Sequence, residues 1–182
     1  PMENKKPVAI ITAAGQGMGA AIARELHERG YELVLMSRSD NAEILARELS
    51  GVGMTGSLTE NDDLKKLVDL ALNQYGRIDA VVAHTGAAAK KPLLDLTDDD
   101  WNEGFDLLFL YVVRLVRLVI PTMLKQGGGS FVNISTFAAF EPDSVFPVSG
   151  TVRAALGSYC KLFANEYAAQ NIRMNNILPG FI

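Results

Sequence analysis

"PVAIITAAGQGMGAAIARELHERG", residues 7–30, carries the decisive pattern. An apolar run of strand length, 7–12, breaks into a turn with glycines at 15, 17 and 19. A helical pattern, 18–29, follows and is stopped by Gly30. In a strand–turn–helix unit the backbone N–H groups of the turn and of the helix N-terminus converge, and the positive end of the helix can hold a pyrophosphate. Glycine lets the chain turn tightly and lets a phosphate approach with no Cβ in the way. The turn is therefore read as a dinucleotide-binding element. A tight turn with no ligand is the alternative.

The same alternation continues along the chain. Strands are expected at 7–12, 32–37, 52–56, 78–83, 130–135 and 172–178, and helices at 18–29, 41–50, 60–75, 98–126 and 149–169. Most of the strands are apolar throughout, as in parallel strands covered on both faces. Thr97 is the expected N-cap of the fourth helix, with Asp98, Asp99 and Asp100 in its first turn. Ser57 and Thr59 precede the third helix, and the "QGGG" at 126–129 stops the fourth. Strands alternating with helices, joined by right-handed crossovers, give an α/β fold with a doubly wound parallel sheet, Rossmann-like and three-layered.

Length and composition agree with one such domain over 1–182. The chain is 48% apolar and 21% charged, with a net charge of −4. That balance lacks the excess of Lys and Arg that a nucleic-acid surface needs. Cys160 is the only cysteine and can form no internal disulfide, which suits a reducing cytoplasm. The start, "PMENKKPVAII", is charged and does not read as a signal peptide. The longest apolar run, "LLFLYVV" at 107–113, is too short to span a bilayer, and Arg114 and Arg117 follow it. A cytoplasmic protein without membrane or nucleic-acid partners, and without a metal, is expected.

At the end of the second strand stands "MSRSD", 36–40. A carboxylate there would accept hydrogen bonds from the ribose 2′-hydroxyl of NAD, whereas an arginine pairs with the 2′-phosphate of NADP. Ser37 removes the acid and Arg38 supplies the cation, so NADP(H) is favoured over NAD(H). A solvated surface role is the alternative for Arg38. Asp40 is expected to cap the second helix.

The whole length resembles the short-chain dehydrogenase/reductase family. "TAAGQGMG" (12–19) is similar to that family's T-G-x-x-x-G-x-G, and "GRIDAVVAHTGAA" (76–88) to its G-x-I-D-x-L-V-N-N-A-G segment. "GGSFVNIST" (128–136), "FPVSGTVRAALGSYCKLFANEYA" (146–168) and "NIRMNNILPGFI" (171–182) follow in the family's order. The resemblance implies hydride transfer between a nicotinamide and a carbonyl or alcohol. It places cofactor contacts at Thr12, Gly15, Gln16, Gly17, Met18, Gly19, Ser37, Arg38, Ser57, Leu58, Ala83, His84, Gly86, Pro179 and Gly180.

At the catalytic positions this chain departs from the family. The family's tyrosine is Ser149 here, its lysine four residues on is Arg153, its serine is Thr136 and its relay asparagine is Leu108. Thr136 keeps a hydroxyl, and Ser135 stands beside it. A serine hydroxyl is a far weaker acid than a phenol. Arginine stays charged and relays a proton less readily than lysine. None of the five tyrosines, 31, 75, 111, 159 and 167, has a lysine four residues later. The nucleotide positions have drifted too: Ala13 replaces the turn's first glycine, Ser57 the acid after the third strand, and Ala83 and His84 the asparagine pair.

Three readings stay open. One is an NADP(H)-dependent oxidoreductase acting on a carbonyl or alcohol, with a proton donor among Thr136, Ser149 and His84. The second is a non-catalytic nucleotide- or ligand-binding member or partner subunit. The third, ranked last, is a chemistry without nicotinamide like that of halohydrin dehalogenases, which share an arginine at the position of Arg153 but keep the tyrosine. His84 reads either as a base near neutral pH or as an ordinary loop residue; His27 reads as a solvated surface residue and Cys160 as a packed one. The resemblance further implies a homo-oligomer, dimer or tetramer, through the helices at 98–126 and 149–169. It implies also that a last strand and a substrate lid, which family members carry past the position of Ile182, are absent from this chain.

Overall fold

The computed structural model describes residues 6–181; the charged opening residues 1–5 and Ile182 lie outside the described residues. Six strands, β1 (Val8–Thr12), β2 (Glu32–Ser37), β3 (Val52–Thr55), β4 (Ala80–Ala83), β5 (Gly129–Ile134) and β6 (Ile172–Ile177), form one parallel sheet in the order β3-β2-β1-β4-β5-β6. The order reverses between β1 and β4, and in open α/β sheets the crevice at such a switch point is where ligands bind. The register aligns Thr12 with Met36, Ala83 with Asn133 and Ile134 with Ile177, so the strands end together along one rim.

Helices α1 (Gly17–Glu28) and α2 (Asn41–Glu48) cover one face of the sheet. Ala23 and Ala42, Leu45 and Ala46 lie there against Ala9, Ile11, Leu33 and Leu35. The other face carries α3 (Asn61–Tyr75), α5 (Tyr111–Gln126) and α6 (Pro147–Tyr167). Helix α3 buries Leu64, Leu67, Val68 and Ala71, the i, i+3, i+4, i+7 stripe of an amphipathic helix. Each such aliphatic side chain contributes about 1.5–3 kcal/mol when fully buried. Strand β1 is buried along its whole length, as its unbroken apolar run requires. In β6, by contrast, buried Ile172 and Met174 alternate with exposed Arg173 and Asn175, because this edge strand is covered on one face only.

Asp79 pins the start of β4 to β1. Its carboxylate accepts from the Val8 N–H at 2.8 Å while Arg77 grips it through Nε and Nη2 at 2.8 and 2.7 Å. Thr97 caps α4 (Asp98–Phe105) as expected, in a reciprocal capping box with Asp100. Asp40 stands at the start of α2 without capping it: the Ala42 N–H goes to Ser37 Oγ instead, at 3.0 Å. The serine that ends β2 is already turned toward that amide.

The helix expected over 98–126 is continuous but not uniform. Between α4 and α5 lies a π-helical segment, Asp106–Leu110, of the kind often found at functional sites. The composite rod contains an 18-residue window of mean hydropathy 2.0, long and apolar enough to cross a membrane, although its unbroken apolar run at 107–113 is much shorter. In the fold, Tyr111, Val112, Leu115, Val119 and Met123 of this rod are buried against the sheet.

Candidate functional site

Two adjoining cavities open where the strands end. The larger, about 900 Å³, runs from the tip of β2 across the glycine turn to the end of β4. The smaller, about 310 Å³, lies between the end of β5, the first turn of α6 and the segment after β6. Met18, Gly86 and Ala87 line both.

The glycine turn forms the floor of the larger cavity. Gln16 precedes α1 without making a side-chain cap, which leaves the first backbone N–H groups of the helix uncapped by any side chain there. Gly17 has a positive φ, +54°, with nothing within 4 Å of where a Cβ would stand. Gly15 and Gly19 serve contact instead: a Cβ would lie 2.8 Å from Ser37 Oγ at Gly15 and 2.2 Å from the Ala13 carbonyl oxygen at Gly19. Ala13, at the family's first glycine, keeps the left-handed conformation, φ +48°, that a glycine would adopt more readily.

At the tip of β2, Ser37, exposed Arg38, Ser39 and Asn41 line the cavity, and no carboxylate does so there. Arg38 forms no ion pair among the described residues. Ser57 and Leu58 line the cavity beyond β3. The Ser57 N–H donates to Asp63 Oδ2 at 2.9 Å, and this bond, with Lys66, holds the Asp63 carboxyl below its ordinary value.

Thr12 joins β1 to β4 at the switch point. Its hydroxyl donates to the His84 carbonyl oxygen at 2.6 Å and accepts from the His84 N–H at 2.9 Å. Thr12, Gly19 and Ala83 are buried and do not line the cavities, so they shape the crevice from beneath. His84 does line the larger cavity, and its buried Nδ1 has no partner among the described residues. Burial, and then the charge of Arg153, lower its basicity and favour the neutral imidazole.

The smaller cavity gathers Thr136, Ser149, Arg153, Pro179 and Gly180, from three separate stretches of the chain. The β5–β6 pairing positions two of them: Ser135 N–H donates to the Ile177 carbonyl and Phe137 N–H to that of Pro179. Thr136 Oγ1 accepts from the Ala138 N–H, which leaves the hydroxyl hydrogen available. Arg153, 7% exposed, donates from Nη1 to the Ile134 carbonyl, and its Nε has no partner. Leu108 stands apart. Although it belongs to the π-helical segment, it is sealed among Val148 and Val152 and reaches neither cavity.

Some neighbours of the site have no signature in the sequence. Tyr111 is fully buried and close enough to Arg153 for the guanidinium charge to act on it, while burial pushes its phenol upward. No spacing along one helix signals this pair, because Tyr111 and Arg153 belong to different helices. Lys90, Phe137, Phe146 and Phe181 complete the wall of the smaller cavity, and they too come from separate loops. Cys160 is half-buried and its thiol donates to the Met174 carbonyl, in keeping with a packing role. Among the described residues no group of three or more His, Cys, Asp or Glu side chains is placed to hold a metal.

Comparison with known proteins bears on the whole chain. The family described as short chain dehydrogenase matches residues 7–182. Dehydrogenase/reductase SDR family member 4 of Oryctolagus cuniculus is 36% identical over 192 aligned residues, covering all of this chain and 72% of that protein. The protein of the same name in Caenorhabditis elegans is 32% identical, covering 96% of this chain and 70% of its own length. Among solved structures, L-sorbose reductase from Gluconobacter frateurii, complexed with NADPH and L-sorbose, superposes with a TM-score of 0.93 at 28% identity. It covers 99% of this chain and 71% of its own.

Proposed function

The chain belongs to the short-chain dehydrogenase/reductase family, and on that premise we propose that it binds NADP(H) in preference to NAD(H) and acts on a carbonyl or alcohol through a non-standard site. One observation carries this reading: the cavity that holds Arg38 at the tip of β2 adjoins, across the shared Met18, Gly86 and Ala87, the one that holds Ser149 and Arg153 on α6. The residues fit a dinucleotide. The uncapped start of α1 faces the turn, Gly17 leaves room where a side chain would intrude, and Ser37 and Arg38 offer a hydroxyl and a cation to a 2′-phosphate. That the related L-sorbose reductase is complexed with NADPH supports the choice of cofactor.

When bound, the nicotinamide supplies the hydride chemistry. The protein's own groups do the rest. Thr136 and Ser149 offer hydroxyls to a substrate oxygen, and the Arg153 charge stabilises negative charge that develops there. His84, held neutral, lies toward the cofactor side of the crevice. No phenol lines the smaller cavity, so a proton reaches the substrate oxygen from water through these hydroxyls. Turnover is correspondingly slow.

A non-catalytic, ligand-binding role is the second reading, and the sealed position of Leu108 favours it, since no polar group stands where the family's relay begins. Self-association through α5 and α6 completes the proposal. Leu162 is 64% exposed, Ala154 and Ala155 are exposed about two turns before it on α6, and Leu124 is half exposed on α5. Calorimetric titration tests the cofactor reading: NADPH is expected to bind at least about tenfold more tightly than NADH, with the difference lost in Arg38→Ala. Binding of neither nucleotide overturns it.

A further inference from the structure

Apart from its hydroxyls and backbone groups, the smaller cavity has an unusual charge balance. Arg153 and Lys90 line it, and among the described residues no Asp or Glu does. Arg153 is 7% exposed and forms no ion pair among the described residues; its Nη1 meets only a neutral carbonyl, and its Nε meets nothing. Ser135, equally buried in the same lining, also leaves its Oγ without a partner among the described residues. A desolvated guanidinium with no counter-charge is costly, and a hydrogen-bonded anion relieves that cost. The planar fork of arginine matches a carboxylate in particular.

The same lining has an apolar part. Phe137, Phe146 and Phe181 form a triangle with ring centroids 5.3 to 6.3 Å apart. The Lys90 ammonium sits over the Phe146 ring, 4.7 Å from its centroid, so the second cation is held at the aromatic wall. A volume of about 310 Å³ suits a small molecule.

We infer that this cavity takes a small carboxylic acid, its carboxylate on Arg153 and the unpartnered Ser135 hydroxyl and its apolar body against the three phenylalanines. The inference rests on the reading that the adjoining crevice holds the nucleotide, and it names the substrate class of that same site. Lys90 at the aromatic wall draws the anion in, and Arg153 holds it.

The test compares benzoylformate with its methyl ester, which keeps the ring and the ketone and removes the charge. Both are titrated calorimetrically into the chain, with and without saturating NADPH. The acid is expected to bind about tenfold or more tightly than the ester. Arg153→Met, a volume-conserving replacement for a buried cation, abolishes that preference, and Lys90→Ala weakens it by a few-fold. Because Arg153 is buried, Ser135→Ala provides a second variant, expected to weaken the acid and leave the ester unchanged. Equal binding of acid and ester, or a preference that survives Arg153→Met, overturns the inference. The nucleotide reading is judged separately by NADPH binding to the same samples: acid preference without NADPH binding sustains the inference and sinks that reading, and the reverse result does the opposite.

Discussion

Replacing Gly19 with alanine puts a methyl group where the backbone at the end of β1 already lies. The new Cβ would stand 2.2 Å from the Ala13 oxygen, 2.9 Å from its carbonyl carbon and 3.0 Å from Ala14 Cα. Ordinary contact begins near 3.4 Å. All three neighbours are backbone, so no side chain can swing away and α1 must move off the sheet by roughly an ångström in a close-packed interior. Overpacking of this kind costs about 1–3 kcal/mol, and a backbone-to-backbone clash belongs at the upper end, about 3 kcal/mol. For a domain of this size that corresponds to a fall in Tm of about 6–12 °C. Gly17→Ala is the internal control. Its φ of +54° makes alanine unfavourable by about 1–2 kcal/mol, but nothing lies within 4 Å of its Cβ. That methyl projects into the crevice, so NADPH affinity is expected to fall by more than stability does. Thermal unfolding followed by circular dichroism gives the stabilities, and calorimetry well below both midpoints gives the affinities. If Gly17→Ala proves the less stable of the two variants, the assignment of Gly19 to helix–strand contact is refuted.

Ala13→Gly is expected to stabilise the chain. It relieves a left-handed alanine at φ +48°, worth about 1–2 kcal/mol, against an unfolded-state entropy loss of about 0.4–1 kcal/mol, and leaves about 0.5–1 kcal/mol in a urea titration. His84 makes stability pH-dependent. Burial, then Arg153, lower its folded pKa below 6.5, so the unfolded chain binds the proton first. Its contribution is complete above pH 6.5 and is lost as the pH falls from there through the folded value; urea midpoints across this range should show the slope, and His84→Asn should flatten it. Ser149→Tyr combined with Arg153→Lys should raise NADPH-dependent reduction of a simple ketone by about tenfold or more, measured by absorbance. No gain would place the limit at Leu108.

Sequence alone determined the layered architecture, because the signals for it are local. Unbroken apolar runs specify buried parallel strands, the α3 stripe specifies a helix lying on a sheet, and the glycine turn specifies where a strand must give way to a helix. The same reading located most of the crevice, including Arg38, Ser57, His84, Ser149 and Arg153. Tertiary structure alone decided how those residues are paired. Ser37 caps α2 in place of Asp40 because β2 ends with its hydroxyl turned toward the Ala42 amide. Leu108 is sealed because Val148 and Val152 of α6 close over the π-helical segment. Among the described residues Arg153 has no counter-ion, because what surrounds it, Tyr111, the Ile134 carbonyl and a cavity with no acid, arrives from separate parts of the chain. Periodicity reports which face of an element is buried, whereas the partner of a buried charge depends on long-range approach that no local pattern encodes.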